Sequence, residues 1–392
     1  MDFIRDIARF VEERWRKINY NETEFAKIAE CALTEVRSID AFEPRHMFEW
    51  AARTPTMPQQ KAHRRQSDFQ IRLFDGSRFE LELRFWDDDP WAELHNHTYH
   101  GAFKVVAGAS IQSKFTFQEE VRVSSLFRIG RLTFQEPELL RTGDVRQVNG
   151  NAWGHSLFHL DRPSITLELK TKRDLEHDLS FVYHKPGIAV NPRDINQEYV
   201  RKSHALRALH RVPVAGMHFE EYLTDLLTTS DFHTAVRLLR DAAEIARDKT
   251  LIGKMIRLLQ AKHGYAAAVL PAALEDAART ERITGIRSRI VDEEHRFMLA
   301  LLANAPTWKA VLALIEQRFP DREPKRTAMA WLRPLMSSTP ALGLTDRHMS
   351  TLEHLVDGAT PTGQLRAEVA DSFLLKPLFE EDGGRPLVSP RS

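Results

Sequence analysis

The sequence predicts an α+β protein of several domains, in which a barrel or sandwich of short β-strands is flanked by an N-terminal helical segment and an all-α C-terminal domain. Three observations predict it. Apolar residues recur at helical spacing up to about residue 53, alternate with polar ones from Phe69, and return to helical spacing beyond Pro192. The length of 392 residues allows two or three domains.

At the N-terminus, Phe3, Ile4, Ile7, Phe10, Val11, Trp15 and Ile18 lie on one helical face, and a second helix from about 22 to 36 aligns Phe25, Ile28, Ala29 and Leu33. Asp2, Asp6, Glu12 and Glu13 exclude a secretory h-region and argue against an acid-poor transit peptide. Thr54 to Ser67, polar and carrying Pro55 and Pro58, reads as a connection. The runs 69–74 and 79–85 alternate on either side of Asp75-Gly76, a turn signal between two strands. Further short strands are expected at about 101–107, 109–117, 120–128, 131–136, 145–149, 155–159, 164–170 and 179–184. Beyond Pro192, Ser230 is the expected N-cap of a helix over 232–246, and Gly264 the C-cap of one over 252–263. At least six more helices fit before residue 380. Trp308, Phe319, Trp331 and Leu332 are expected in their core. The expected domains are a helical segment 1–65, a barrel 66–190, a helical domain 191–380 and a disordered tail 381–392.

Composition narrows the function. Lys plus Arg number 55 and Asp plus Glu number 55, so bulk charge favours neither nucleic acid nor an anionic membrane as partner. The segment 321–326 has helix-start chemistry, but no basic recognition helix stands out. The most apolar window, 265–274, is short and contains Pro271, too little to span a bilayer. Cys31 is the sole cysteine, which excludes an intrachain disulfide, a multi-thiolate zinc site and an iron–sulfur cluster within one chain. A reducing cytoplasm is the expected compartment.

The segment that rises above this background is Glu93-Leu94-His95-Asn96-His97-Thr98-Tyr99-His100-Gly101. On an extended strand His95 and His97 point to the same face, so their imidazoles can converge on one ion. Some 55 residues later a second polar cluster offers His155, with His159 behind it, as a third ligand from a neighbouring strand. Against this, the chain has 17 histidines, and a lone His-x-His is more often structural than metal-binding.

The region from about 69 to 185 resembles a cupin, the double-stranded β-helix or jelly-roll barrel. The first motif of that family reads His-x-His, then Glu, then Gly, and its second supplies one more His. Here His95-x-His97 is followed by Gly101 where the Glu would stand and by Gly108; the second motif begins at Gly143, and His155 with His159 mirrors its His-x-x-x-Asn ending. One extra residue and the lack of a Pro depart from the pattern. Without the Glu, the set resembles the three-histidine, cysteine dioxygenase-like branch, which uses ferrous iron. Trp86, separated from His95 by eight residues, and Phe103 to Gly108 are similar to that branch as well. Its Ser-x-His-x-Tyr strand looks like Thr166-Leu167-Glu168-Leu169-Lys170 here, which implies a different substrate and brings opposite charges to the cavity.

Other residues have two readings each. Tyr99 and Tyr183 could offer a phenol to substrate or oxygen, as catalytic candidates alongside Glu168, or simply pack. Arg72, Arg84 and Lys170 are candidate substrate clamps; cross-strand pairing with Glu80 or Glu82 is the plainer account and the preferred one for Arg84. Glu93 shares the face of His95, as an extra ligand, an acceptor for that ring, or an exposed carboxylate at a strand start. For His100 a fourth ligand, a hydrogen bond to a ligand and a strand cap all stay open. The run Asp87-Asp88-Asp89 reads as a solvated turn.

The expectation is a mononuclear non-haem iron oxygenase acting with O2 on a small metal-chelating molecule, a thiol or other anionic metabolite. Iron(II) is the first choice, with zinc, nickel, manganese and copper open, and 2-oxoglutarate is not expected because no carboxylate ligand is present. The alternatives are a cupin sensor whose helices contact a partner, and a zinc or nickel isomerase or hydrolase. The resemblance also implies a homodimer.

Overall fold

The computed structural model describes residues 2–39, 43–53, 57–60, 68–86, 93–172, 180–191, 196–212, 214–356, 367–368 and 372–379. Contacts divide the chain into two compact units: Met1–Thr116, Phe134–Ser180 and Ile283–Phe379 form the first, and Phe117–Thr133, Phe181–Arg282 and Glu380–Ser392 the second.

In the first unit, α1 (Asp2–Lys17), α2 (Phe25–Glu35) and α3 (Pro44–Arg53) occupy the expected helical segment. Phe3, Ile7, Val11 and Trp15, one per turn, are the buried residues of α1, and their stripe packs into one apolar cluster with Phe25, Leu33, Leu83 and Leu169. The sheet beneath holds β1 (Asp68–Asp75), β2 (Phe79–Trp86), β4 (His100–Ala107), β7 (Val145–Asn149) and β9 (Ser164–Thr171), in the order β1-β2-β9-β4-β7. Period two divides β2 and β9 between two environments: Phe79, Leu81, Leu83, Leu167 and Leu169 join the helices, and Glu82, Arg84, Thr166, Glu168 and Lys170 turn the other way. The register sets Glu82 opposite Glu168 and Glu80 opposite Lys170.

The remaining strands are β3 (Leu94–Asn96), β5 (Ala109–Arg122), β6 (Phe127–Arg141), β8 (Gly154–His159), β10 (Val182–His184) and β11 (Ile188–Val190), a closed barrel in the order β10-β11-β6-β5-β8-β3. Three short strands were expected over 109–136, but the chain forms two long ones of 14 and 15 residues. The polar residues 118 and 119 that read as a break are tolerated because exposed strand positions pair charges: Glu119 meets Arg128 at 3.1 Å, and beside it Glu120 meets Arg131 at 3.4 Å.

The helices after residue 191 are shared between the two units. Those up to Arg282 belong to the second unit and those from Ile283 to the first. In the second, α4 (Gln197–Arg211), α5 (Phe219–Thr229), α6 (Phe232–Ala246), α7 (Lys249–His263) and most of α8 (Leu270–Arg287) surround Phe127, Ile129 and Ile188. The N-cap of α6 is Asp231, whose carboxylate accepts from the Thr234 amide at 3.0 Å; Ser230 instead ends α5. Gly264 closes α7 as expected, with φ at 57°. In the first unit, α9 (Glu293–Asn304), α10 (Trp308–Arg318), α11 (Pro324–Ser338) and α12 (Asp346–Val356) pack around Trp308, Trp331 and Leu332, with Phe319 at the margin. Asp87–Asp89 and the tail 381–392 lie outside the described residues. No described helix is long and apolar enough to cross a membrane.

Candidate metal centre

The pairing of β3 with β8 sets His95 directly opposite His155, and His97 follows just past the end of β3. One ring nitrogen from each of the three lies within 4.8 Å of the other two. The ring centroids are 4.7, 5.1 and 4.8 Å apart, and Nε2 of His97 is 2.7 Å from Nε2 of His155. Burial pushes the pKa of His97 well below the ordinary value, with the charge of His95 adding to it, and does the same to His155, so both rings are neutral and present lone pairs.

Two backbone and side-chain contacts decide which nitrogen is offered. Nδ1 of His95 donates to the main-chain carbonyl of Glu93 at 2.8 Å, which leaves Nε2 for a ligand bond. Nδ1 of His155 lies 2.8 Å from the side-chain amide of Gln112 on β5, whose Oε1 is buried without a hydrogen-bond partner. A half-turn of that amide gives Oε1 the Nδ1–H of His155 and frees Nε2. With the amide as placed, the proton sits on Nε2 and bridges to His97. Gln112 thus selects the tautomer of a candidate ligand.

A buried ionic network lies beside the histidines. The ring of Tyr99 is 4.7 Å from that of His97, and its hydroxyl donates to Oε1 of Glu168. The other oxygen of Glu168 accepts from Arg84 Nε at 2.9 Å and Lys170 Nζ at 2.7 Å. Lys170 also meets Glu82 at 2.5 Å, and Arg72 pairs with Glu80 and Asp75, each at 3.1 Å. Burial opposes the charge on Glu168, but Arg84 and Lys170 outweigh it and hold the carboxyl well below its usual range. Burial, then the Glu168 charge, raises the Tyr99 phenol well above its ordinary value, so it keeps its proton.

The other sequence candidates fall as follows. Glu93 contributes its carbonyl to His95 rather than standing as a metal ligand by its carboxylate. His100 is not in the three-histidine group; its main-chain amide donates to Thr171 Oγ1 at 3.1 Å, and its Nδ1 is buried without a partner. His159 hydrogen-bonds to Ser110 at 2.8 Å, stacks on Trp86 at 4.5 Å and stands outside the three-histidine group. Tyr183 belongs to the second unit, where its ring meets Phe117 at 5.1 Å and Phe181 at 6.5 Å. Arg72 and Arg84 are engaged by carboxylates, and Arg84 reaches across β9 to Glu168 as well as to its own-strand neighbour Glu82. Gln112 escaped the sequence reading, although Ser110 and Gln112 flank the buried Ile111 at strand period, a sign of polar residues facing inward.

Gly101 stands where a carboxylate ligand was looked for. A Cβ there would meet the Leu169 carbonyl oxygen at 2.3 Å, so β9 passes too close for any side chain. The donors among the described residues are therefore three imidazoles, two of them held neutral by burial, a set that fits a divalent ion of the later first transition row.

No protein-family model and no curated protein matches this sequence. Among solved structures, KdgF from Halomonas sp. is similar at 15% identity and TM-score 0.23 over 30% of this chain and 89% of that one. The DMSP lyase DddQ from Ruegeria pomeroyi is similar at 16% identity and TM-score 0.20, over 29% and 50% of the two chains. An RmlC-like cupin from Shewanella frigidimarina is similar at 15% identity and TM-score 0.18, over 27% and 77%.

Proposed function

We propose that the protein is a mononuclear non-haem iron(II) enzyme that acts with O2 on a small metal-chelating molecule, a thiol or other anionic metabolite. The observation that carries this reading is the convergence of three imidazole nitrogens within 4.8 Å, two of them on neutral buried rings. Nε2 of His95, His97 and His155 would hold the ion, which would supply Lewis-acid polarisation of the substrate and redox chemistry toward O2.

The chain's own residues do the rest. The Glu93 carbonyl orients the His95 ring before anything binds, and a half-turn of the Gln112 amide would free Nε2 of His155 in the same way. Neutral donors leave the positive charge of an ion uncompensated, which favours an anionic substrate group beside it. The network of Glu80, Glu82 and Glu168 with Arg72, Arg84 and Lys170 balances its own charge. Among its cations Arg84 has the most accessible side chain, 21% against 12% for Arg72 and 6% for Lys170, so it is the one that can meet a substrate carboxylate. Tyr99 commits its one proton to Glu168 beside His97, which leaves its oxygen to accept a hydrogen bond from a substrate donor.

The test is elemental analysis after anaerobic reconstitution, with oxygen uptake over a panel of small thiols and carboxylates. About one iron per chain is expected, with uptake stimulated by one class of substrate. Failure to retain iron, or the same content in His97→Ala, ends the proposal. Zinc or nickel retained in preference, with no oxygen consumption, would move the reading to an isomerase or hydrolase on the same three imidazoles.

A further inference from the structure

The second unit holds a partly enclosed cavity of about 110 Å³ between the strands β6, β10 and β11 and the helices α6 and α8. Its walls are mostly apolar, with Phe127, Leu239 and Leu270 among them. Four polar residues also line it: His184, Asn191, Arg237 and Arg240. Three of these are engaged by other groups of the protein. The guanidinium of Arg237 sits 3.6 Å over the ring of Tyr199, Nη1 of Arg240 donates to Nε2 of His184 at 3.0 Å, and Asn191, Arg237 and Arg240 each have further partners. His184 is the exception. The register of β10 sets it opposite Ile188 of β11, and both line the cavity. Burial lowers its pKa to about 3, with the charge of Arg240 adding to it, so the ring is neutral. A neutral imidazole that accepts at Nε2 carries its proton on Nδ1, and no described residue accepts from that N–H.

We infer that this cavity is a binding site for a compact, uncharged organic molecule with an apolar body and one acceptor oxygen, a cyclic ketone or lactone in type, whose carbonyl takes the Nδ1–H of His184. Apolar walls with very few polar groups to fix orientation are the usual make-up of a small-molecule site. The size agrees. An engineered apolar cavity of about 150 Å³ takes benzene, so this one suits a body of about six or seven non-hydrogen atoms. Engaged walls and a single neutral donor select against charge, because a carboxylate would give up its water for one hydrogen bond and an ammonium for none. A hydrocarbon of the same size fits the walls but leaves the N–H unpaired, which lowers its affinity.

A ligand-observed NMR titration of the full-length protein with cyclohexanone tests this, with benzene and cyclohexanecarboxylate as comparisons. Cyclohexanone is expected to bind saturably with Kd of ~1 mM. Benzene should bind about fivefold more weakly, and the carboxylate more weakly still. His184→Phe keeps a ring and removes the donor, so it should bring cyclohexanone down to the level of benzene and leave benzene unchanged. Ala273→Leu and Ala277→Phe enlarge two side chains of α8 that line the cavity, and each should abolish binding, with a cooperative melting transition verifying its fold. His97→Ala should bind as the wild type does, since the three-histidine group takes no part. The inference is overturned if cyclohexanone fails to saturate at up to roughly 20 mM, or if both filled variants bind it undiminished. It is overturned equally if the carboxylate binds more tightly than the ketone, or if His184→Phe binds cyclohexanone as the wild type does.

Discussion

His95, His97 and His155 are useful as ligands only because their neighbours settle protonation and direction. The carbonyl of Glu93 takes the Nδ1 proton of His95, and the Gln112 amide faces Nδ1 of His155. Removing such a partner ordinarily weakens a metal site by about 10–100-fold, and Gln112→Ala is expected to do so, read by competition with a chelating dye. Gln112→Glu places an acceptor there and should retain most of the affinity. Glu168 is a different case. It neutralises Arg84 and Lys170 in a site where the carboxylate is 8% and the ammonium 6% exposed, so Glu168→Gln leaves buried cations short of a partner. A loss of about 3 kcal/mol is expected in urea unfolding, with metal content little changed. That pairing of outcomes separates the ionic network from the ligand set.

At the scale of elements, two features control the site. One is the three-residue strand β3, which would be marginal alone and is fixed by pairing with β8; that pairing brings histidines 60 residues apart face to face. The other is the close passage of β4 over β9 at Gly101. Gly101→Ala pushes a methyl group into the Leu169 carbonyl and should destabilise by about 1–3 kcal/mol, measured by thermal or urea unfolding. In the second unit the Asp231 cap of α6 offers a simpler test. Asp231→Ala should cost about 1 kcal/mol, because the Thr234 amide loses its acceptor, whereas Ser230→Ala removes no N-cap bond.

For the whole molecule, acid should act in two stages. His184 has its pKa lowered to about 3 by burial, and burial also lowers those of His97 and His155. The unfolded chain therefore binds more protons than the folded one once the pH falls below about 6.5, and stability declines with falling pH from there. Carboxylates lowered in the fold, such as Asp75 and Asp231, stabilise it above their unfolded pKa and add to the loss only below about pH 4.5. Between those limits the histidines dominate. His184→Gln, which can still accept from Arg240, should flatten the slope of unfolding free energy by up to ~1.4 kcal/mol per pH unit.

Local rules were enough for the helical segments at either end, the Asp75-Gly76 hairpin and the shared face of His95 and His97, because side-chain period, turn chemistry and the His-x-His spacing are written over a few residues. The long β5–β6 hairpin was not legible: charged residues that pair across exposed strands look, one strand at a time, like a loop. Nor was the split of the C-terminal helices between two units, since amphipathic faces state that a helix is covered but not by what. The roles of Gln112 and Glu168 depended on register between strands more than 40 residues apart, and the register was decided only when the sheets closed over their buried faces.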